Sequence, residues 1–232
     1  MIAITSLSPN PARVDVQREA VESWRAVGLQ VQSMNHPDDI FVLAQQFDVE
    51  FLPCFETAYG KYIPYNPIIA HMLTFPGQSV FVNSDIVFRL TPDQLAGFAD
   101  ACKDGLGYIV RHNHDGDEAA GVREATGIDA WITDPSVIQW PASFLSVGRP
   151  GGDYWFPAAY LAAGLPLYTT DDRIAMHRNH TQAWDRELLY VGLGELCRLY
   201  PYGVGKTNAD NLAAVQRMHV RIWQAQRVKV LS

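Results

Sequence analysis

The sequence predicts a single α/β domain with a mostly parallel central sheet flanked by helices, and three observations carry that prediction. The apolar run Ile2-Ala3-Ile4-Thr5-Ser6-Leu7 stops at Ser8-Pro9-Asn10-Pro11, the pattern of a buried strand delivering a turn. Val16, Ala20, Val21, Trp24 and Val27 then recur at helical spacing up to Gly28, and Leu29 to Met34 follows as a second strand. Strand, helix and strand in that order make a βαβ unit, which implies parallel pairing. Finally, 232 residues of which 48% are hydrophobic, with no repeat, low-complexity stretch or linker, suit one core spanning 1–232.

The other elements follow in chain order. Asn35-His36-Pro37-Asp38-Asp39 reads as the loop leaving the second strand, and a helix is expected from Pro67 to Phe75, ended by Pro76-Gly77. Ser79-Val80-Phe81-Val82 is a buried strand that runs directly into Asn83-Ser84-Asp85-Ile86. Thr91 is placed as the N-cap of a helix reaching about Cys102, with Pro92 at its first helical position. Gly107 to Arg111 and Leu165 to Thr170 are further strands, whereas residues 130–165, rich in Trp, Pro and Gly, show no clear period. A last helix from about Asn208 to Gln226, with Leu212, Val215, Met218, Val220 and Ile222 on or near one face, is expected to pack on the domain.

Bulk properties exclude several classes. A formal net charge of -7 disfavours sequence-independent nucleic-acid binding, which needs basic surface to neutralise phosphates. Cys54, Cys102 and Cys197 are distant and odd in number, so they read as buried free thiols rather than a disulfide framework or zinc site. The start MIAITSLSPN lacks the basic and long apolar segments of a signal peptide. No apolar stretch reaches the ~20 residues of a membrane span, so the expected location is the cytoplasm.

Four stretches could carry chemistry. In Asn83-Ser84-Asp85 a strand ends on a polar side chain and a carboxylate two positions apart, where ligands bind in open α/β sheets. Such a carboxylate can hold Mg²⁺ or Mn²⁺; the same residues also suit an Asp that merely caps a turn. In Gly148-Arg149-Pro150-Gly151-Gly152-Asp153-Tyr154-Trp155, the glycines and proline shape a rigid turn, and a carboxylate beside two aromatics suits general base work on a sugar hydroxyl. An ordinary surface turn is the alternative. His177 and His180, three apart, can meet at one divalent metal, or act as hydrogen-bonded structural residues. Arg111-His112-Asn113-His114-Asp115-Gly116-Asp117-Glu118 is dense in ligand types but lacks the ligand spacing of a calcium loop, and reads as a polar loop after a strand.

Taken in order, these stretches resemble GT-A-type glycosyltransferases of the nucleotide-diphospho-sugar transferase superfamily. The resemblance rests on Asn83-Ser84-Asp85-Ile86, Gly127-Ile128-Asp129-Ala130-Trp131-Ile132, Gly148 to Trp155 and Met176-His177-Arg178-Asn179-His180, and covers roughly residues 1–185. It implies a GT-A-like, Rossmann-like domain that moves a sugar from a nucleotide-sugar donor, a UDP-sugar favoured, with Mn²⁺ or Mg²⁺. By the same resemblance Asp85 is the direct metal ligand, joined by His177 or His180, and Asp153 is the catalytic base. Asn83 stands where many relatives carry a first Asp, and with Ser84 is placed toward ribose or metal-bound water. Thr5, Ser6 and Asp38 or Asp39 cradle the nucleoside, and Lys61 reaches the diphosphate.

Other readings remain. A sugar-1-phosphate nucleotidyltransferase would carry a glycine-rich basic loop after the first strand, which Ser8-Pro9-Asn10-Pro11 is not. A non-catalytic domain binding a carbohydrate or a partner is compatible with Asn83. Transfer to a modified nucleic-acid base is compatible with Arg217, Arg221, Arg227 and Lys229, although solvated helix surface explains these as well. The acceptor is thus a glycan, a small molecule or a modified nucleic acid.

Overall fold

Parallel pairing of the first two strands sets the architecture. In the computed structural model, which describes residues 1–58, 62–180, 186–199 and 207–230, β1 (Ile2–Thr5) lies between β2 (Gln30–Asn35) and β4 (Ser79–Val82), parallel to both. The helix α1 (Val14–Ala26) makes the crossover from β1 to β2 and buries Ala20, Val21 and Trp24. α2 (Pro37–Leu43) and β3 (Glu50–Pro53) extend this edge, β3 pairing parallel to β2. Residues 35–39 are therefore not a loop throughout. His36 caps a helix by accepting from the Asp38 amide, and Pro37 fits the first turn, where no N–H is required.

After α3 (Tyr65–Met72), which starts and stops earlier than the sequence suggests, β4 passes through a short turn into β5 (Ile86–Phe88) and α4 (Pro92–Ala101). Thr91 and Gln94 form the reciprocal capping box at the start of α4. β6 (Leu106–His114) is longer than expected, and β7 (Val122–Thr133) returns antiparallel between β6 and β4. The segment Arg111–His114 is thus strand, not polar loop. Then come α5 (Trp155–Ala162), β8 (Leu167–Thr169), β9 (Ala175–Arg178), α6 (Arg186–Leu199), α7 (Asn208–Trp223) and β10 (Gln226–Arg227). α7 stops at Trp223, short of Gln226, which enters β10. The sheet order is β10-β8-β6-β7-β4-β1-β2-β3, mostly parallel, with β9 beside the far half of β6 and β5 beside β9.

Two cores cover the two faces, sorted by period-two alternation. Ile4, Phe81 and Trp131 face one side, while Ala3, Val80, Val82, Ala130 and Ile132 face the other, under α1 and α4. On the first side Phe81, Trp131 and Phe156 stack with centroids 5.2–5.6 Å apart, and Trp155 stacks on Tyr65 at 5.3 Å. This aromatic slab joins the sheet to α3 and α5. The Tyr108 hydroxyl donates to the Ile222 carbonyl at 2.8 Å and ties α7 to β6. Cys54, Cys102 and Cys197 are all buried free thiols.

Because Phe156 is fully buried among five aromatic rings, Phe156→Ala should destabilise the protein by about 3–5 kcal/mol. Denaturant unfolding with an unchanged slope checks this.

Candidate functional site

The strand ends at one edge of the sheet open into a cavity of about 1040 Å³, the position at which open α/β sheets bind ligands. Its polar half is built by the turns after β1 and β4 and by the outer parts of β6 and β7. The β1 turn is tied down by Asn35 Nδ2, which donates to the Leu7 carbonyl at 2.7 Å, and by Gln17, which both accepts from and donates to the Ser8 backbone. The β4 turn is closed by Ile86 N donating to Asn83 O, and Trp24 Nε1 on α1 donates to Ile86 O at 2.8 Å.

Asp85 lies in that turn, one residue before Ile86, and Ile86 pairs with His177 across β5 and β9. Asn113 of β6 pairs with His177 from the other side. Strand register thus brings His177 to Asp85, and His180 completes the group from just beyond β9. His180 Nε2 lies 3.0 Å and His177 Nε2 3.6 Å from Asp85 Oδ2, and the two ring nitrogens lie 3.1 Å apart. The three donor atoms fall within 4.8 Å of one another. One carboxylate and two imidazoles form a donor set for a divalent transition metal, and ligands at ~2.1 Å set at right angles would stand about 3 Å apart. The residues fit such an ion.

The surrounding hydrogen bonds orient this group. His177 Nδ1 donates to Asn113 Oδ1 at 2.9 Å, which leaves the Nε2 lone pair inside the donor group, beside His180 Nε2. Arg111 Nε donates to the same Asn113 oxygen. Burial on its own would raise the Asp85 carboxyl, but the imidazoles of His177 and His180 beside it outweigh burial, and the group is held well below the usual carboxylate range.

Asp153 faces the opposite balance. Burial, followed by the nearby charge of Asp129 and then that of Asp85, pushes its carboxyl well above the ordinary carboxylate value, and Arg111 offsets only part of this. Arg111 is committed to Asp129, 2.9 Å away, and Asp129 also accepts from Asn83 Nδ2 at 2.6 Å. The backbone carrying Asp153 leaves no room for side chains. Gly151 has φ +89°; a Cβ there would lie 2.9 Å from the Gly192 carbonyl, and a Cβ on Gly152 would lie 2.5 Å from the Tyr65 hydroxyl. A Cβ on Gly192 of α6 would lie 2.0 Å from Pro150 O. The remaining cleft wall is apolar, formed by Val147, Leu189, Leu193, Leu212 and Val215, with the rings of Tyr154 and His219 5.3 Å apart.

Ser6, Asp39, Asn83, Ser84, Asp85, Asp153, His177 and His180 all line this one cleft. Thr5 does not. As the last ladder residue of β1, opposite Ser33, it is fully buried on the face it shares with Ala3. Lys61 lies outside the described residues. Arg217, Arg221, Arg227 and Lys229 are exposed, and Arg227 pairs with Asp171. Arg13, Arg111, Asn113 and Asp129 also belong to the site and were not singled out as functional from sequence. For Arg111 and Asn113 the available signal was alternation: both face the cleft, while His112 between them and His114 after them are buried.

No family model matches the sequence, and no curated protein matches it. Among solved structures, the fold is similar to that of S. aureus TarS residues 1–349, with a TM-score of 0.53 and 11% identity over 95% of this chain and 71% of that one. A second S. aureus TarS structure aligns with a TM-score of 0.52 and 9% identity over 97% of this chain and 43% of that one, so the chain spans less than half of its length. At these identities the likeness is one of fold alone, a GT-A-like α/β fold. No helix among the described residues is long and apolar enough to cross a membrane.

Asp153 also yields a stability test. A carboxyl raised in the folded state binds protons that an unfolded Asp, with a value of about 3.9, has already released, so its ionisation costs stability as pH rises from there toward the folded value. Asp153→Asn should therefore unfold at a higher temperature than wild type at pH 8, with the gain vanishing near pH 4. Calorimetry at both pH values checks this.

Proposed function

We propose that this protein is a metal-dependent glycosyltransferase that moves a sugar from a nucleotide-diphosphate sugar to an acceptor hydroxyl. The observation that carries the reading is the convergence of Asp85, His177 and His180 in the same cleft as Asp153, whose surroundings raise its carboxyl. Asp85, His177 and His180 would hold Mn²⁺ or Mg²⁺; the mixed carboxylate and imidazole set favours Mn²⁺. When bound, the ion neutralises the charge that builds on the departing nucleoside diphosphate.

The chain's own residues supply the rest. Ser6, just after β1, and Asp39, in the first turn of α2, face the nucleoside, and a UDP-sugar is the first donor to test. Asn83 offers a buried Oδ1 with no hydrogen-bond partner among the described residues, an acceptor aimed at a donor hydroxyl. Asp153 takes the proton of the acceptor hydroxyl as its oxygen bonds to the anomeric carbon and the bond to the diphosphate breaks. Its raised proton affinity makes it a stronger base than an exposed carboxylate, while Asp85 stays ionised beside it; one cleft gives two carboxylates two duties. The acceptor approaches along the apolar wall of Tyr154, Leu193, Val215 and His219.

In a thermal-shift assay UDP or a UDP-sugar should raise the melting temperature only with Mn²⁺ present, and Asp85→Ala should abolish the shift. An equal shift in that variant sinks the metal assignment. Asp153→Asn should keep the shift but lose about 10²–10⁴-fold in the slow hydrolysis of the nucleotide sugar. The wild-type rate should fall as pH drops through the raised Asp153 value, because the base works only when deprotonated. A shift without any hydrolysis in wild type would mark a binding domain instead.

A further inference from the structure

The metal-donor group has a fourth member that it does not need for coordination. Arg13 stands at the end of the turn after β1, in the short 3-10 segment Pro11–Arg13 that leads into α1. Its Nη2 lies 2.8 Å from His180 Nδ1 and its Nη1 3.5 Å from Asp85 Oδ2. The guanidinium therefore supplies positive charge to the same carboxylate oxygen that both histidines approach.

This contact dictates where the His180 proton sits. A guanidinium has only N–H donors, so His180 Nδ1 must accept, and the neutral ring carries its proton on Nε2, facing Asp85 at 3.0 Å. An Nε2 that bears a proton has no lone pair for a metal. His177 is the reverse: its Nδ1 donates to Asn113, and its Nε2 lone pair is ready. One histidine is set for coordination and the other is set against it, and Arg13 makes the difference. The guanidinium also adds like-charge repulsion against a cation at Asp85. The other cleft cations are engaged elsewhere, Arg111 with Asp129 and Arg149 over the Tyr62 ring at 3.6 Å.

We propose that Arg13 is a positioning residue that latches the metal site closed in the donor-free protein and passes to the donor's diphosphate when metal binds. The inference rests on the glycosyltransferase reading above. Release of Arg13 lets His180 turn its Nε2 lone pair inward, and the freed fork meets two phosphate oxygens, a match that guanidinium geometry favours. Entry of the cation and seating of the diphosphate thus become one linked event, each favouring the other.

The test measures binding rather than turnover, in wild type, Arg13→Ala and Arg13→Gln, the glutamine removing the charge while keeping a shorter polar side chain. Mn²⁺ alone is titrated by the loss of its free electron-spin-resonance signal, and UDP is titrated by calorimetry at saturating Mn²⁺. Both variants should bind Mn²⁺ alone about five-fold more tightly and UDP about tenfold more weakly than wild type. A merely structural arginine would weaken both. Unchanged or weaker Mn²⁺ binding in the two variants, with wild type binding Mn²⁺ normally, overturns the latch and leaves the transferase reading standing. Tighter Mn²⁺ with unchanged UDP affinity overturns the transfer to diphosphate. Should wild type and Asp85→Asn alike fail to bind Mn²⁺, the metal reading and the latch fall together.

Discussion

The antiparallel pairing of β5 with β9 is the contact on which the cleft depends. It spans three residue pairs, Ile86 with His177, Val87 with Met176 and Phe88 with Ala175, and a slip of one residue would turn His177 to the opposite face of the sheet. The register is held from several sides. Ile86, Val87, Phe88, Ala175 and Met176 are all buried in the second core, Trp24 holds the Ile86 carbonyl, and Ser23 Oγ accepts from the Phe88 amide at 2.9 Å. Polar function at Asp85 therefore rests on apolar packing one residue away.

Electrostatics in the cleft follow from how few charges are allowed to stand alone. Asp129 is matched by Arg111, and Asp85 is surrounded by His177, His180 and Arg13. Around Asp153 burial and the charges of Asp129 and Asp85 outweigh Arg111, and its carboxyl is pushed well above the ordinary carboxylate value. Any added cation near Asp85 would lower that proton affinity by removing one of the like-charge contributions.

Much of this was legible in the chain itself. The βαβ start, the Thr91 cap, the Asn83-Ser84-Asp85 turn and the His177 and His180 pair all rest on local rules of period, capping and spacing, and the structure places each where those rules do. What escaped was set by partners distant in sequence. Asn113 looked like a loop residue because β9, which pairs with it, lies more than sixty residues later. Thr5 looked like a loop-edge ligand, although pairing with Ser33 seals it inside the sheet. Arg13 sits beside prolines in an unremarkable turn, and only folding sets it against His180, 167 residues on. The helix beginning at Pro37 was hidden because its cap is a histidine rather than one of the usual short polar residues.

The glycines around Asp153 carry a different message. Pro150 and Gly151 press against Gly192 of α6, and Gly152 presses against Tyr65, so the carboxylate is located by atoms that are missing. Tolerance to mutation here will run against chemical intuition: the least replaceable positions are those with no functional group to lose. Lineages that drift at these three sites would forfeit the geometry while every reactive side chain stayed in place, and a catalogue of reactive residues would still record the cleft as intact.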